Sequence, residues 1–233
     1  MKKLLASVLC IAMLTLAAGT ALADETKLTV NGSGTVQVHS DLAIISIGVR
    51  EINADVLEAQ SAVNNKIAAV RQALIDAGAE ESQINTDSIR IYANYDYSGE
   101  TEVIVGYTAY NALSVRTTNI DGVGALIDAA FAAGANTLDG VEFTVQDDTA
   151  AQEQAITLAV QDAQRKAEVF ASAAGLQIAS IQSISESTVY AYDSMRNAVY
   201  AAAQDEAGGG AGTMVQAALV NVEASVTMEY ELQ

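Results

Sequence analysis

Apolar positions along the chain follow two periods, and the switches between them mark out the elements. Leu28 to Val38 and Leu42 to Ile52 are β-rich runs separated by a polar turn at His39-Ser40-Asp41. Inside the first, Asn31-Gly32-Ser33-Gly34 interrupts the pattern and predicts a bulge or a sharp bend. Val56, Val63, Ile67, Val70 and Leu74 then fall at helical spacing, with Asp55 placed as N-cap and Gly78 as the stop. Ile89, Ile91, Ala93, Tyr95 and Tyr97 alternate as one strand face, and Ser98-Gly99-Glu100 turns the chain. The return strand passes through Val103, Val105 and Tyr107 to Val115, so the two runs predict a long hairpin rich in tyrosine.

A shorter helix follows over Val123 to Ala132, ended by Gly134, and then a strand at Val141, Phe143 and Val145. Asp147 and Asp148 open a third helix running to about Ala174, their charge favouring its N-terminus. Its apolar side is Ala151, Ala155, Leu158, Ala159, Ala163, Ala167 and Phe170, and Gly175 stops it. Ile178 to Val189 is strand again. Asp193 to Thr213, centred on Ala207-Gly208-Gly209-Gly210-Ala211-Gly212, reads as a mobile excursion. Val220, Val222, Ala224, Val226, Met228 and Tyr230 alternate as a C-terminal strand. The expected fold is α+β: a mixed, largely antiparallel sheet with long hairpins and about three helices packed mainly on one face.

The N-terminus reads as a secretory signal peptide. Lys2 and Lys3 precede the apolar stretch Leu4 to Ala18, and Ala21-Leu22-Ala23 offers a small-x-small cleavage pattern, so cleavage is expected between Ala23 and Asp24. The stretch falls short of the roughly 20 residues that span a bilayer. Residues 1–23 are thus the predicted signal peptide and 24–233 a single domain with no transmembrane segment. Cleavage removes Lys2 and Lys3, taking the net charge from −18 to −20, and removes the single cysteine, Cys10. A mature chain without cysteine must be held by its core. Its acidity without basic clusters argues against nucleic acid and against anionic lipid surfaces.

Gly32-x-Gly34-x-Val36-x-Val38, then Asp41-x-Ala43 and Gly48-Val49, resembles the opening motif of the SIMPL-domain family. Gly106-Tyr107-x-Ala109-x-Asn111-x-Leu113-x-Val115 is similar to that family's central strand, and Gly134-Ala135-Asn136 with Phe143 to its next segment. Ala159-x-x-Asp162-Ala163-x-x-Lys166-Ala167 resembles its third helix, and Ile184-x-Glu186 and Val226 to Leu232 its last strands. Ser40 stands where the family usually has proline. The resemblance implies an exported or periplasmic α+β protein of no established activity, with some members assembling into large rings and a loose tie to envelope or oxidative stress.

Candidate chemistry is sparse. His39 is the only histidine, no Gly-x-Ser-x-Gly occurs, and no His-Glu-x-x-His spacing suggests a metal. Gly32-x-Gly34 lacks the third glycine of a dinucleotide fingerprint, and Gly208 to Gly210 lack the Lys-Ser/Thr of a P-loop. No catalytic residue, cofactor or metal is assigned. Asp162 and Lys166, one turn apart, read as an ordinary surface ion pair, and their match to the family motif implies a fixed packing or interface role.

Tyr92, Tyr95, Tyr97, Tyr107 and Tyr110 along the hairpin are the candidate interface, with Tyr190, Tyr192 and Tyr200 in the later region. Tyrosine suits interfaces, but the same residues also serve as cross-strand pairs. The expectation is a non-enzymatic exported protein working as a homo-oligomer or by binding an envelope partner. The alternatives are an enzyme built on carboxylates and tyrosines, and a surface adhesin binding through the tyrosine hairpin.

Overall fold

The structure is a computed structural model that describes residues 26–99, 101–193, 212–217 and 219–233, with backbone alone over 187–193. The predicted signal peptide and its cleavage point, Tyr200 and the glycine run 207–211 lie outside the described residues, as do the side chains of Tyr190 and Tyr192.

Among the described residues, seven strands and three α-helices follow in the order β1 (Thr26–His39), β2 (Leu42–Asn53), α1 (Val56–Asp76), β3 (Ile84–Asp96), β4 (Val103–Thr117), α2 (Val123–Ala132), β5 (Thr137–Thr144), α3 (Thr149–Ala174), β6 (Ile178–Asp193) and β7 (Leu219–Leu232). The fold is α+β. The strands divide into two sheets, β1-β7-β6 and β3-β4-β2-β5, and every pairing is antiparallel. Where the sequence pattern suggests one mixed sheet, the helices between strands instead carry the chain from one antiparallel sheet to the other or back onto its own.

The helix ends follow the local signals. Asp55 Oδ1 accepts from the amides of Leu57 at 2.8 Å and Glu58 at 3.1 Å, satisfying donors that the first turn leaves without partners. Gly175 adopts φ +73°, and the amides of Gly175 and Leu176 close back on the carbonyls of Ser172 and Ala171. At the start of α3, Asp147 rather than Asp148 bonds the Thr149 amide, at 3.0 Å.

Two hydrophobic clusters result, of different make-up. The first lies between the four-stranded sheet and α1 with α2, and is built from branched and bulky residues including Ile45, Ile47, Val49, Val70, Leu74, Val115, Ile127 and Phe143. The second lies between the three-stranded sheet and α3. There Ala155, Ala159, Ala163 and Ala167, one per turn, face Val30, Val222, Val226, Met228 and Tyr230. Leu158 and Phe170, which the periodicity assigns to the same apolar side of α3, are exposed instead.

Gly32 and Gly34 explain how α3 sits so close. A Cβ at Gly32 would collide with the Ala159 carbonyl oxygen and lie 2.7 Å from Ala163 Cβ; one at Gly34 would collide with the Ala155 carbonyl oxygen. The strand itself runs without a break, pairing with β7 from Thr26↔Leu232 to His39↔Leu219. The expected bulge at Asn31-Gly32-Ser33-Gly34 is therefore absent: the glycines clear room for a helix backbone instead of bending the strand.

Candidate functional site

The β3–β4 hairpin carries most of the candidate interface and is the least covered part of the fold. Ile89 and Ile91 pair with Asn111 and Ala109, and so lie on the face of the sheet that bears the helices. However, α1 packs over β2 and β4 and barely reaches β3. Ile89 is consequently 65% exposed, and β3 gives the core only Ile84. Farther out, Val103, Ile104 and Val105 on β4 are exposed beside Tyr95 and Tyr97, whose rings are tilted at 42° with centroids 6.1 Å apart.

The five tyrosines divide by environment. Tyr92, Tyr95 and Tyr97 are exposed, Tyr97 at 72%, while Tyr107 is half-buried. Tyr110 is 6% exposed and belongs to the monomer's own packing. Its hydroxyl bonds the Asp139 carboxylate on β5, reaching across β2. The Arg50 guanidinium lies 5.5 Å and that of Arg90 5.9 Å from the centre of its ring, within the range of cation–π attraction. Arg90, Tyr110 and Arg50 form one cross-strand row on the face away from the helices. The exposed set thus comprises Tyr92, Tyr95, Tyr97, Ile89, Ile91 and the run Val103 to Val105. Apolar residues on both faces of β3 were the sequence signal for that wider patch.

Asp162 and Lys166 act together on β1. Asp162 Oδ2 accepts from the Ser33 amide at 3.1 Å, and Lys166 Nζ donates to the Asn31 carbonyl at 2.9 Å and pairs with Asp162 at 2.6 Å. Arg165 adds a second cation to the same carboxylate. The bonds from Lys166 and from the Ser33 amide hold the Asp162 carboxyl down at about 2. The pair fixes α3 to an edge strand and occupies backbone groups that β7 does not use. That is the packing role implied by the motif.

Other motif residues also hold the frame. Asp41 Oδ1 accepts from the Gln146 amide at 2.8 Å, closing the end of β5 on β2. Asn136 Oδ1 accepts from the Arg50 amide at 2.7 Å while its Nδ2 donates to the Arg50 carbonyl at 2.8 Å, continuing the ladder past the end of β5. Gly134 ends α2 with φ +110°. His39 is the exposed last residue of β1.

An open groove of about 790 Å³ lies beside the C-terminal half of α3, lined by Gln164, Glu168, Ser172, Gln177, Ile181 and Tyr230. Burial, with the nearby Glu168 charge, raises the Tyr230 hydroxyl above its usual range, and that hydroxyl faces Met228 Sδ at 3.4 Å. Among the described residues no three of His, Cys, Asp and Glu gather as metal ligands, and no helix is long and apolar enough to cross a membrane.

Residues 28–230 match the SIMPL family, described as a protein of unknown function (DUF541). The chain belongs to the SIMPL family. It is 28% identical over 165 residues to the 26 kDa periplasmic immunogenic protein of Brucella melitensis, covering 69% of this chain and 66% of that protein. It is 24% identical over 151 residues to the uncharacterized protein YggE of Escherichia coli K12, covering 65% and 61%. These matches take in just under two thirds of the relatives' length. The motif residues that carry the family resemblance here (Gly32, Gly34, Asp41, Asn136, Asp162, Lys166) each hold two elements together, and none of them lines the groove beside α3.

Proposed function

We propose that this SIMPL-family chain is an exported protein that works outside the cytoplasm by association, through its β3–β4 hairpin, and not by catalysis. One observation carries the reading. The hairpin exposes isoleucine, valine and tyrosine side chains together on a chain whose net charge of −18 otherwise favours a wet, repulsive surface. Tyrosine and isoleucine at such a patch gain most when water is excluded, because each brings large apolar area and tyrosine keeps a polar tip to satisfy. Export is supported by the signal-peptide pattern ending at Ala23-Asp24 and by the name of the Brucella relative, which places that protein in the periplasm.

Light scattering coupled to size-exclusion chromatography on residues 24–233, at low and high salt, tests the reading. A stable multimer at both salts is the expected result, since apolar contacts survive screening. A monomer at every concentration and salt would overturn self-association.

A further inference from the structure

Each sheet has two edges, and an unpaired edge is a template for another strand unless something blunts it. Three of the four are blunted. On β1, Asp162 and Lys166 occupy the Ser33 amide and the Asn31 carbonyl. On β6, the pairing with β7 shifts register at Ile178/Ser180, Ile181/Ser183 and Glu186/Thr188, and such irregularities twist an edge away from a partner. On β5, a shift opposite Ser46/Ile47 leaves Asp139 outside the ladder, with its carboxylate turned to Tyr110.

The edge of β3 differs. Between irregularities at Thr86/Ser88 and Asn94/Tyr95 its register against β4 is unbroken, from Ser88↔Ala112 to Asn94↔Gly106. No helix covers this run, and Ile89, Ile91 and Tyr92 on it are exposed. The sequence, Ser88-Ile89-Arg90-Ile91-Tyr92-Ala93-Asn94, holds no proline and no carboxylate, although the chain has 29 acidic residues.

We propose that this edge pairs antiparallel with the same edge of a second copy, about a two-fold axis through Ile91. The proposal rests on the association reading above and names its geometry. The register follows from chemistry: with Ile91 opposite Ile91 of the second copy, Arg90 falls opposite Tyr92 twice, Ile89 opposite Ala93, and Ser88 opposite Asn94. Directly opposed residues on an antiparallel pair share a face. The apolar set Ile89, Ile91 and Ala93 from both copies therefore merges on the helix-bearing side, in the strip that α1 leaves open. On the other face Arg90, which has no carboxylate partner among the described residues and already stacks on Tyr110, gains a second aromatic neighbour. A two-fold axis normal to the sheet joins two four-stranded sheets into one and closes the assembly as an isologous pair.

Complementary charges at the axis test it. In Ile91→Lys two ammonium groups face each other across the dyad, and in Ile91→Glu two carboxylates do. Ile91 is 40% exposed, so both variants keep the wild-type far-ultraviolet circular dichroism and melting temperature as monomers. Measured by light scattering, each variant alone drops to half or less of the wild-type mass, and a 1:1 mixture restores it. Three results would overturn the proposal. If both variants keep the wild-type mass, the edge is not used although the hairpin reading stands. If the mixture fails to recover, Ile91 does not lie at the axis. If the wild type is monomeric throughout, this proposal and the association reading fall together.

Discussion

The two layers of this protein are closed in opposite ways. Over β2 and β4, α1 and α2 bury branched and bulky side chains, so the layer is held apart and filled. Over β1 and β7, α3 presents one alanine per turn to a strand carrying Gly32 and Gly34, so backbone meets backbone with little between. In the first layer stability comes from side-chain volume, and the sensitive direction is loss of it. In the second, α3 and the glycines it rests on have almost no side-chain volume to lose, and the sensitive direction there is gain. A two-residue glycine pattern can therefore matter as much as a row of isoleucines.

That contrast is sharpest at Gly32. Gly32→Val should cost more than about 3 kcal/mol or abolish folding, because the side chain can only enter by pushing α3 off the sheet and exposing its alanine row. Chemical denaturation monitored by circular dichroism measures it, and a loss under about 1 kcal/mol would mean α3 is free to retreat. Ile47→Ala, at a fully buried site of the filled layer, should cost about 3 kcal/mol through lost transfer energy and a residual cavity. The same substitution type applied to the alanine row of α3 has nothing to remove.

Smaller effects probe the clasp between α3 and β1. Lys166→Ala leaves the Asn31 carbonyl without its donor and the Asp162 carboxylate with Arg165 alone, and should lower the melting temperature modestly while raising strand-mediated aggregation, read by static light scattering on heating. Unchanged melting and unchanged aggregation would remove the clasp from the account. Asp162 also sets a pH signature. Its carboxyl is held at about 2 in the fold against an ordinary 3.8, a depressed value, so the stability it contributes is present above the ordinary value and is lost as pH falls toward 2. Wild type should therefore lose stability relative to Asp162→Asn on acidification through that window, and a difference that stays flat with pH would contradict the assignment. Smallest is Tyr97→Ser at the exposed hairpin, which should leave monomer stability within about 0.5 kcal/mol while weakening association.

Much of this was legible residue by residue. The caps at Asp55, Gly78 and Gly175, the hairpin around Ser98-Gly99, and the strand alternation of β7 are local signals, and each appears where the pattern placed it. Local signals failed where a distant element set the role. Gly32 and Gly34 look like a bend until α3 is seen lying against them. Tyr110 looks like its neighbours Tyr92 and Tyr95 until Asp139 is found across β2 and two guanidiniums flank its ring. Leu158 and Phe170 share the helical period of the alanines but lie at the margin of a contact too narrow to cover them.

By itself, then, the sequence determined the element types, most of their ends and the α+β class, because those depend on backbone preferences and on hydrophobic periods spanning a few residues, while its ordered motifs carried the family resemblance. The tertiary structure alone decided that the strands form two sheets, that the glycines seat a helix, that Asp162 and Lys166 clasp β1, and that β3 keeps an open edge. Those outcomes depend on which residues meet across 129 or 135 positions of chain, as Ser33 meets Asp162 and Asn31 meets Lys166, and no period along one strand or helix records such a meeting.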